Sequence, residues 1–426
     1  MSRRVAIVAG CRTPFAKAGS ALSHMSPVEL GTVAVRELIH RAELDTSTVD
    51  GLIFGTVVPS ITAPNVAREV SLESGLPPTV QAFTVGRACA SSNQAITSAA
   101  ESIMHGYGDV YIAGGVEILS DVPMLLSRSM RDALVSASRA KTLGSRVAAL
   151  SRIRPKDLAP IAPAIAEPST GETMGESAER MAKENGIPRE EQDRWALRSH
   201  RLAAQGTADG RLKAEIVPTF VPPKYEEMLD HDNGIRTDTT LEKLAALKPV
   251  FDRQYGSVTA GNSSPLTDGA SAVLVMSEDR ARALGYQPLG FIRSWHYTAL
   301  APTDQLLQGP AYAAPVALDR AGVTMKDIEL WEIHEAFAAQ VLSNFQAMDS
   351  DEFARTKLGR DRKIGLIDED RINVMGGSIA IGHPFGATGA RLTTTLLNEM
   401  KRRDAGLGLI TVCAAGAMGF AMVLER

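Results

Sequence analysis

Gln81–Gly115 reads QAFTVGRACASSNQAITSAAESIMHGYGDVYIAGG. Gln81–Val85 is a short run with strand character, ended by Gly86. Ser91–His105 is rich in alanine and free of glycine and proline, which favours a helix. Asp109–Ala113 returns to β-branched and aromatic residues and is closed by Gly114-Gly115. Strand, helix and strand in this order make a crossover unit, which sets its two strands parallel.

The same rhythm extends outward. Upstream, Val5–Val8 and Gly51–Val57 are apolar runs, and a helix is expected over Val28–Arg41, with Ser26 before it and Pro27 at its first position. Asn65–Ser74 reads as a helix closed by Gly75 and Pro77. Towards the C-terminus, strands are expected at Ala270–Met276, Leu289–Trp295, Ile328–Ile333, Leu407–Cys413 and Gly419–Leu424. Helices are expected at Tyr312–Ala321, Glu335–Ala347 and Thr388–Arg403. Two ends with one element order read as two similar α/β halves, each with a mostly parallel, buried sheet covered by helices on both faces. From Pro123 to Tyr255 the rhythm breaks. That stretch is basic, then Pro-rich (RPKDLAPIAPAIAEP, from Arg154), then helical over Gly175–Gly206, then loop-like. The expected domains are therefore 1–122, an inserted 123–255, and 256–426.

Composition narrows the function. A chain of 426 residues exceeds one ordinary core. Its net charge of −4 gives no nucleic-acid footprint. Cys11, Cys89 and Cys413 are odd in number and form no C-x-x-C pair, against a disulfide framework or a structural zinc site. A reducing compartment fits better. The apolar run Val5–Gly10 meets Arg12 and Pro14 and makes a poor signal peptide, so a cytoplasmic location is expected. Gly406–Leu424 is uncharged and approaches membrane-spanning length, but CAAGAMG interrupts it. Two buried strands joined by a small-residue turn are expected there.

Four motifs carry chemistry. GRACASSNQAI places Cys89 between a strand and a helix, where the helix dipole lowers a thiol pKa. A buried, inert cysteine is the common alternative. GGSIAIGHPFGATGAR sets His383 in a glycine-rich turn before a helix. No G-K-[ST] follows, so a nucleotide loop is unsupported. CAAGAMG puts Cys413 at a strand end, and IHEAFAA puts His334 and Glu335 at a strand-to-helix junction. Ala338 stands where a zincin motif needs its second histidine. All four sites lie at the carboxyl ends of expected strands, where open α/β sheets bind ligands. Two cysteines and two histidines there suit acyl transfer through a thioester, with a nucleophile, a base, an acid and an oxyanion donor.

With RTPF at Arg12–Phe15, TAGNSSPLTDGA, HEAFA and the motifs above, in this order over nearly the whole chain, the sequence resembles the thiolase family. The RPKDLAP segment and the HEAF variant resemble its β-subunit branch, the 3-ketoacyl-CoA thiolases of the fatty-acid oxidation complex. The resemblance implies duplicated βαβαβαββ halves in a five-layered α-β-α-β-α core with an inserted loop domain. It implies thiolysis of 3-ketoacyl-CoA by coenzyme A, which is a co-substrate, with no permanently bound cofactor and no metal. Cys89 matches the acylated nucleophile, His383 its base, and Cys413 the acid/base that serves the enolate and the incoming thiol. His334 stands where many relatives have an asparagine that holds a catalytic water. Backbone N–H groups of Cys89 and Ala415 match the acyl oxyanion hole. Ala415 replaces a usual glycine, so its N–H serves if its φ is not positive. Ala417 likewise stands in place of a frequent glycine. Ser264, Met174 and Arg236 are the expected coenzyme A contacts. Implied partners are a second copy of the chain and an α-subunit carrying enoyl-CoA hydratase and 3-hydroxyacyl-CoA dehydrogenase activities.

Eight basic residues in Leu125–Leu158, opposed only by Asp132 and Asp157, add an expected contact with a partner or an anionic membrane, or with coenzyme A phosphates. Competing readings are an acetoacetyl-CoA-forming biosynthetic thiolase and a ketoacyl-synthase-like condensing enzyme; the latter needs no second cysteine. A zinc hydrolase using Cys89, His334, His383 and Cys413, and a non-catalytic scaffold, are further alternatives.

Overall fold

A computed structural model describes residues 3–161 and 166–426. Strand β1 (Val5–Arg12) is followed by helix α1 (Pro27–Arg41). The Glu29 N–H donates to the Ser26 hydroxyl, and the Ser26 N–H donates to the Glu29 carboxylate. This reciprocal cap satisfies two otherwise orphaned donors. β2 (Gly51–Gly55), α2 (Val66–Glu73), β3 (Gln81–Val85), α3 (Ser91–Met104) and β4 (Val110–Glu117) follow. Next come α4 (Arg128–Arg139), α5 (Leu143–Leu150), α6 (Met174–Glu184) and α7 (Arg189–Ala208). The single helical stretch expected over Gly175–Gly206 is broken between α6 and α7, where Gly186 takes φ +62° and Pro188 cannot continue a helix. β5 (Thr267–Ser277), β6 (Gly290–Ala299), α8 (Gly309–Ala321), β7 (Leu330–Ile333), α9 (Ala338–Met348), α10 (Thr388–Arg403), β8 (Leu407–Ala414) and β9 (Met418–Glu425) complete the chain.

Nine of these strands run β7-β8-β9-β6-β1-β5-β4-β2-β3 through a ten-stranded sheet, whose tenth member, Ala16–Lys17, pairs with β5. The duplication is visible in that order. The first half runs β3-β2-β4-β5-β1 and the second β7-β8-β9-β6, the same sequence of positions without a third strand. Ile372 occupies the missing place with a single parallel bridge to Trp331 of β7. β1 and β6 join the halves edge to edge over three residue pairs, from Val5–Ile292 to Ile7–Gly290.

The sheet is mixed, which corrects the mostly parallel expectation. β2–β3, β2–β4 and β7–β8 are parallel, whereas β4–β5, β1–β5, β8–β9, β6–β9 and β1–β6 are antiparallel. The turn Ala415–Ala417 is too short for a crossover, so β9 must fold back on β8. The uncharged Gly406–Leu424 stretch is this hairpin. Among the described residues, no helix is long and apolar enough to cross a membrane.

Alternation along the strands builds the layers. Val273 and Val275 of β5 face a central core with Ala95 and Ile96 of α3, Leu392 and Leu396 of α10, and Phe420 and Met422 of β9. The opposite face of β5, through Leu274 and Met276, packs on Leu30 and Leu38 of α1 and Val70 of α2. Ala421 and Val423 of β9 pack on Ala314 and Leu318 of α8 and Val341 of α9. The core is therefore α-β-α-β-α, with α3 and α10 in the middle. A Cβ on Gly389 of α10 would collide with Asn93 of α3, so glycine sets how closely these two helices approach.

The chain divides into two compact units, residues 1–120 with 167–426, and residues 121–166. The expected 123–255 insertion thus spans both, because α6 and α7 belong to the larger unit. In the smaller unit, Leu125 and Ile161 exchange backbone hydrogen bonds of 2.9 and 2.8 Å. Ser127 caps α4 and donates to the Asp157 carbonyl. Of the Pro-rich run, residues 162–165 lie outside the described residues.

Candidate active site

Cys89 sits in the turn between β3 and α3. Ala88 before it takes φ +45°, a left-handed conformation costly for alanine. Ser91 holds that turn from both sides: it accepts from the Arg87 N–H at 2.8 Å and donates to the Ala88 carbonyl at 2.6 Å.

His383 lies on the loop that leads into α10, the place in the second half equivalent to that of Cys89 in the first. Its N–H donates to the Pro265 carbonyl at 3.3 Å. Its Nε2 is 3.2 Å from Cys89 Sγ, and its Nδ1 is 2.6 Å from Thr388 Oγ1. Thr388 donates to the Pro384 carbonyl at 3.3 Å and so turns its lone pairs towards the ring. Nδ1 then carries the ring proton, and the Nε2 lone pair faces the thiol. The loop is anchored by Glu117 at the end of β4. Its carboxylate accepts from the Gly386, Val57 and Val58 N–H groups, each at 2.9 Å, and from the Thr56 hydroxyl at 3.1 Å. Burial pushes the Glu117 carboxyl up to about 7 against those donors.

His334 follows β7 and is buried, with its ring centroid 4.1 Å from that of His383. Its Nδ1 lies 3.0 Å from Ser378 Oγ, and its Nε2 is buried without a partner. One ligand-type atom from each of Cys89, His334 and His383 lies within 4.8 Å of the other two. The adjoining Glu335 has a structural task. It accepts from Trp195 Nε1, Ser199 Oγ, Asn373 Nδ2 and the Ile379 N–H at 2.7 to 3.3 Å. A Cβ on Gly377 would run into that carboxylate, so glycine is required there. Helix α9 begins at Ala338, not at Glu335 as expected, because the backbone before it pairs with the 262–264 segment: the Ser264 N–H donates to the Ala336 carbonyl and the Ala338 N–H to the Asn262 carbonyl, each at 2.9 Å.

Cys413 is the penultimate residue of β8 and is buried in an apolar cluster with Met181, Val258, Leu306 and Ala417. In the turn that follows, Gly416 and Ala417 take φ +83° and +54°, while Ala415 does not have a positive φ. The Ala415 and Cys89 N–H groups both face the Cys89 sulfur and pull its pKa down, but desolvation outweighs them and pushes it up to about 11. This corrects the expectation that the helix start lowers it. Burial, with Arg391 nearby, holds His383 down to about 3. Burial also holds His334 well below its ordinary value and Cys413 well above its own. Burial thus disfavours the charged form of each of these four residues.

Met174, the first residue of α6, and Phe337 pack on the cluster that contains Cys413. The Ser264 N–H donates to the Ala336 carbonyl at 2.9 Å, beside the Pro265–His383 bond. Arg236 is exposed, and its N–H donates to His200 Nδ1 at 3.2 Å. It makes no described contact with the four reactive residues. Sequence reasoning missed Glu117, Thr388, Ser378 and Arg391. The only signal for the last three was their place inside the His383 motif.

Residues 5–279 match the family Thiolase, N-terminal domain, and residues 286–426 match Thiolase, C-terminal domain. The chain is 52% identical over 422 residues to a 3-ketoacyl-CoA thiolase of Pseudoalteromonas translucida, covering 99% of this chain and 97% of that one. It is 51% identical, with the same coverage, to a 3-ketoacyl-CoA thiolase of Yersinia pestis. Among solved structures it is similar to the Bacillus anthracis acetyl-CoA acetyltransferase (TM-score 0.85, 34% identity, 100% of this chain and 99% of that one). It is also similar to human mitochondrial 3-ketoacyl-CoA thiolase in complex with CoA (TM-score 0.84, 30% identity, 100% and 98%).

Proposed function

The chain belongs to the thiolase family, and from that premise we propose how its residues divide the work of a 3-ketoacyl-CoA thiolase. The enzyme is an acyltransferase that cleaves 3-ketoacyl-CoA with coenzyme A, giving acetyl-CoA and a shortened acyl-CoA. The observation that carries the assignment is the Cys89–His383 pair, 3.2 Å apart with the far side of the imidazole pinned by Thr388.

His383 Nε2 takes the Cys89 proton as the sulfur attacks the 3-keto carbon. The Cα–Cβ bond breaks, leaving the acyl group on Cys89 and the enolate of acetyl-CoA. Cys413 protonates the enolate; its raised pKa keeps it a thiol, the form an acid needs. Coenzyme A then passes its thiol proton to Cys413 and attacks the acyl thioester. Cys89 departs as thiolate and recovers the proton held by His383. The Cys89 and Ala415 N–H groups receive the acyl oxyanion. His334 Nε2–H, with His383, receives the charge on the thioester oxygen of the leaving acetyl-CoA unit. One such donor is worth about 3–4 kcal/mol in an acyl-transfer site. Ser264 and Met174 line the coenzyme A approach, and Arg236, exposed next to the half-buried Ile235, serves the same substrate. A cytoplasmic homodimer is the expected form; the edge strand β3, with Phe83 exposed, supports self-association.

Mass spectrometry after brief exposure to 3-ketoacyl-CoA without free coenzyme A should find the acyl mass on Cys89. Finding it on Cys413 or Cys11 would refute the assignment. Cys89→Ser should lose nearly all turnover, because serine is the weaker nucleophile. The close approach of Cys89, His334 and His383 also suits a metal ion. Activity that is lost to a chelator and restored by zinc would favour that second reading.

A further inference from the structure

Ser378 lies in the GGS turn ahead of His383, and the mechanism above gives it no task. Its hydroxyl oxygen sits between two groups from different elements. Arg391 of α10 donates to it at 2.9 Å, and His334 Nδ1 lies 3.0 Å away. A guanidinium has donors only, so the Ser378 oxygen must accept from Arg391. The serine keeps one proton to give, and His334 Nδ1 is the neighbour placed to accept it. A neutral imidazole that accepts at Nδ1 carries its own proton on Nε2. That Nε2 is the buried atom without a partner; a ring nitrogen of His334 lies within 4.8 Å of Cys89 Sγ and of a His383 nitrogen, and with Nδ1 turned to Ser378, Nε2 is the one left to meet them. Buried donors in native structures are almost always satisfied, so an orphan beside a reactive thiol and imidazole points to a catalytic task.

We propose that Ser378, held by Arg391, is a positioning residue that fixes the His334 ring with Nε2–H facing the reacting oxygen. The proposal rests on the reading of His334 as an oxyanion donor. The support around Ser378 is rigid. The Gly377 N–H donates to Ser199 Oγ at 2.9 Å, the Ile379 N–H donates to Glu335 at 3.3 Å, and Arg391 is paired with Glu332 at 3.4 Å. Glu332 and His334 flank the end of β7, so one buried chain of polar contacts joins that strand, the turn and α10. Such a chain selects one ring orientation and one tautomer before substrate arrives, which is where preorganised donors gain their effect.

The test uses the full chain with 15N-labelled histidine, the His334 signals being identified by their loss in His334→Asn. The wild type should show Nδ1 as the unprotonated nitrogen. Ser378→Ala should lower kcat roughly ten-fold or more with little change in KM, since a small misplacement of a catalytic group is costly. Ser378→Thr, which keeps the hydroxyl, should recover most of that loss. An asparagine amide has no tautomer to set, so adding Ser378→Ala to His334→Asn should cost less than about two-fold. A proton found on Nδ1 in the wild type overturns the proposal. So does a Ser378→Ala loss that is equal in both backgrounds, or absent. Full turnover in His334→Ala would instead remove the donor role of His334, and the imidazole spectrum would still decide whether Ser378 sets its tautomer.

Discussion

Cys89 and His383 face each other as thiol and imidazole, not as an ion pair, because burial pushes the thiol up to about 11 and the imidazole down to about 3. In the proposed mechanism the charged pair forms as the substrate carbonyl takes up charge beside donors already in place. Cys413 meets the same burial and turns it to a different end. Cys413→Ala should still acylate at Cys89 but fail to exchange the α-hydrogens of acetyl-CoA for deuterium. Undiminished exchange, read by proton NMR, would take Cys413 out of the proton-transfer step. His334→Ala should cost a factor of about 10²–10³ in kcat if its Nε2–H meets an oxyanion. A normal rate in that variant would leave His334 a packing role only. The motifs around Cys89, His383 and Cys413 stood out because they are rich in small or turn-forming residues, whereas His334, between Ile333 and Glu335, was marked only by its place at a strand end. Glu117 was not, since its partners at Val57 and Gly386 are remote in sequence and only folding brings them to its carboxylate. The Cys89 pKa was misjudged for a related reason: a helix start is visible in the chain, but the desolvation that overrides it is a property of the packed site.

At the scale of elements, the β8–β9 hairpin carries Cys413 into the site and stores strain at Ala417. A left-handed alanine costs about 1–2 kcal/mol, so glycine there relieves strain. Glycine also gives back about 0.5–1 kcal/mol of chain entropy and about 0.8 kcal/mol for the buried methyl. Ala417→Gly should therefore lie within about 1 kcal/mol of wild type by denaturant unfolding. Ala417→Val should lose about 2–4 kcal/mol, from positive φ at a branched residue and from crowding of the Cys413 cluster. Equal stability of the two variants would contradict the strain. In the smaller unit, α4 and α5 bury only Ala133, Ala137 and Ala149 and expose Leu134, Val135, Leu143 and Val147 beside their arginines. We propose that this pair binds an acidic surface, on an α-subunit or an anionic membrane. Reversing the charges at Arg128, Arg139 and Arg146 should abolish salt-sensitive liposome flotation or co-purification with the α-subunit and spare thiolysis. If only the coenzyme A KM rises, the pair is a substrate lid. Helix and strand positions in both halves were readable from caps and apolar runs. Strand direction was not, because β5 and β9 find their antiparallel partners through tertiary pairing.

At the scale of the whole molecule, buried titratable groups set how stability depends on pH. His383, His334 and His200 are held below 6.5 by burial, His200 to about 4. The unfolded chain binds protons there that the folded chain refuses, so their contribution is full above about 6.5 and lost as pH falls towards 3. Glu117 and Glu332, pushed up to about 7 and 8, act in the opposite sense: their contribution is full below 4.5 and is lost as pH rises through those values. The two slopes oppose each other between 4.5 and 6.5, so a difference between variants reads one group better than the total curve does. The melting temperature of wild type, compared with that of His383→Asn, should fall progressively below pH 6.5. A constant difference would mean that His383 is not buried neutral. The matched strand orders of the two halves carry a historical consequence. The loop after β3 bears Cys89, and the equivalent loop after Ile372 bears His383, each opening one of the paired central helices. An ancestor built from two identical copies of one half would have set two identical side chains across that meeting point. A thiol in one half facing an imidazole in the other therefore requires that the two halves have changed separately.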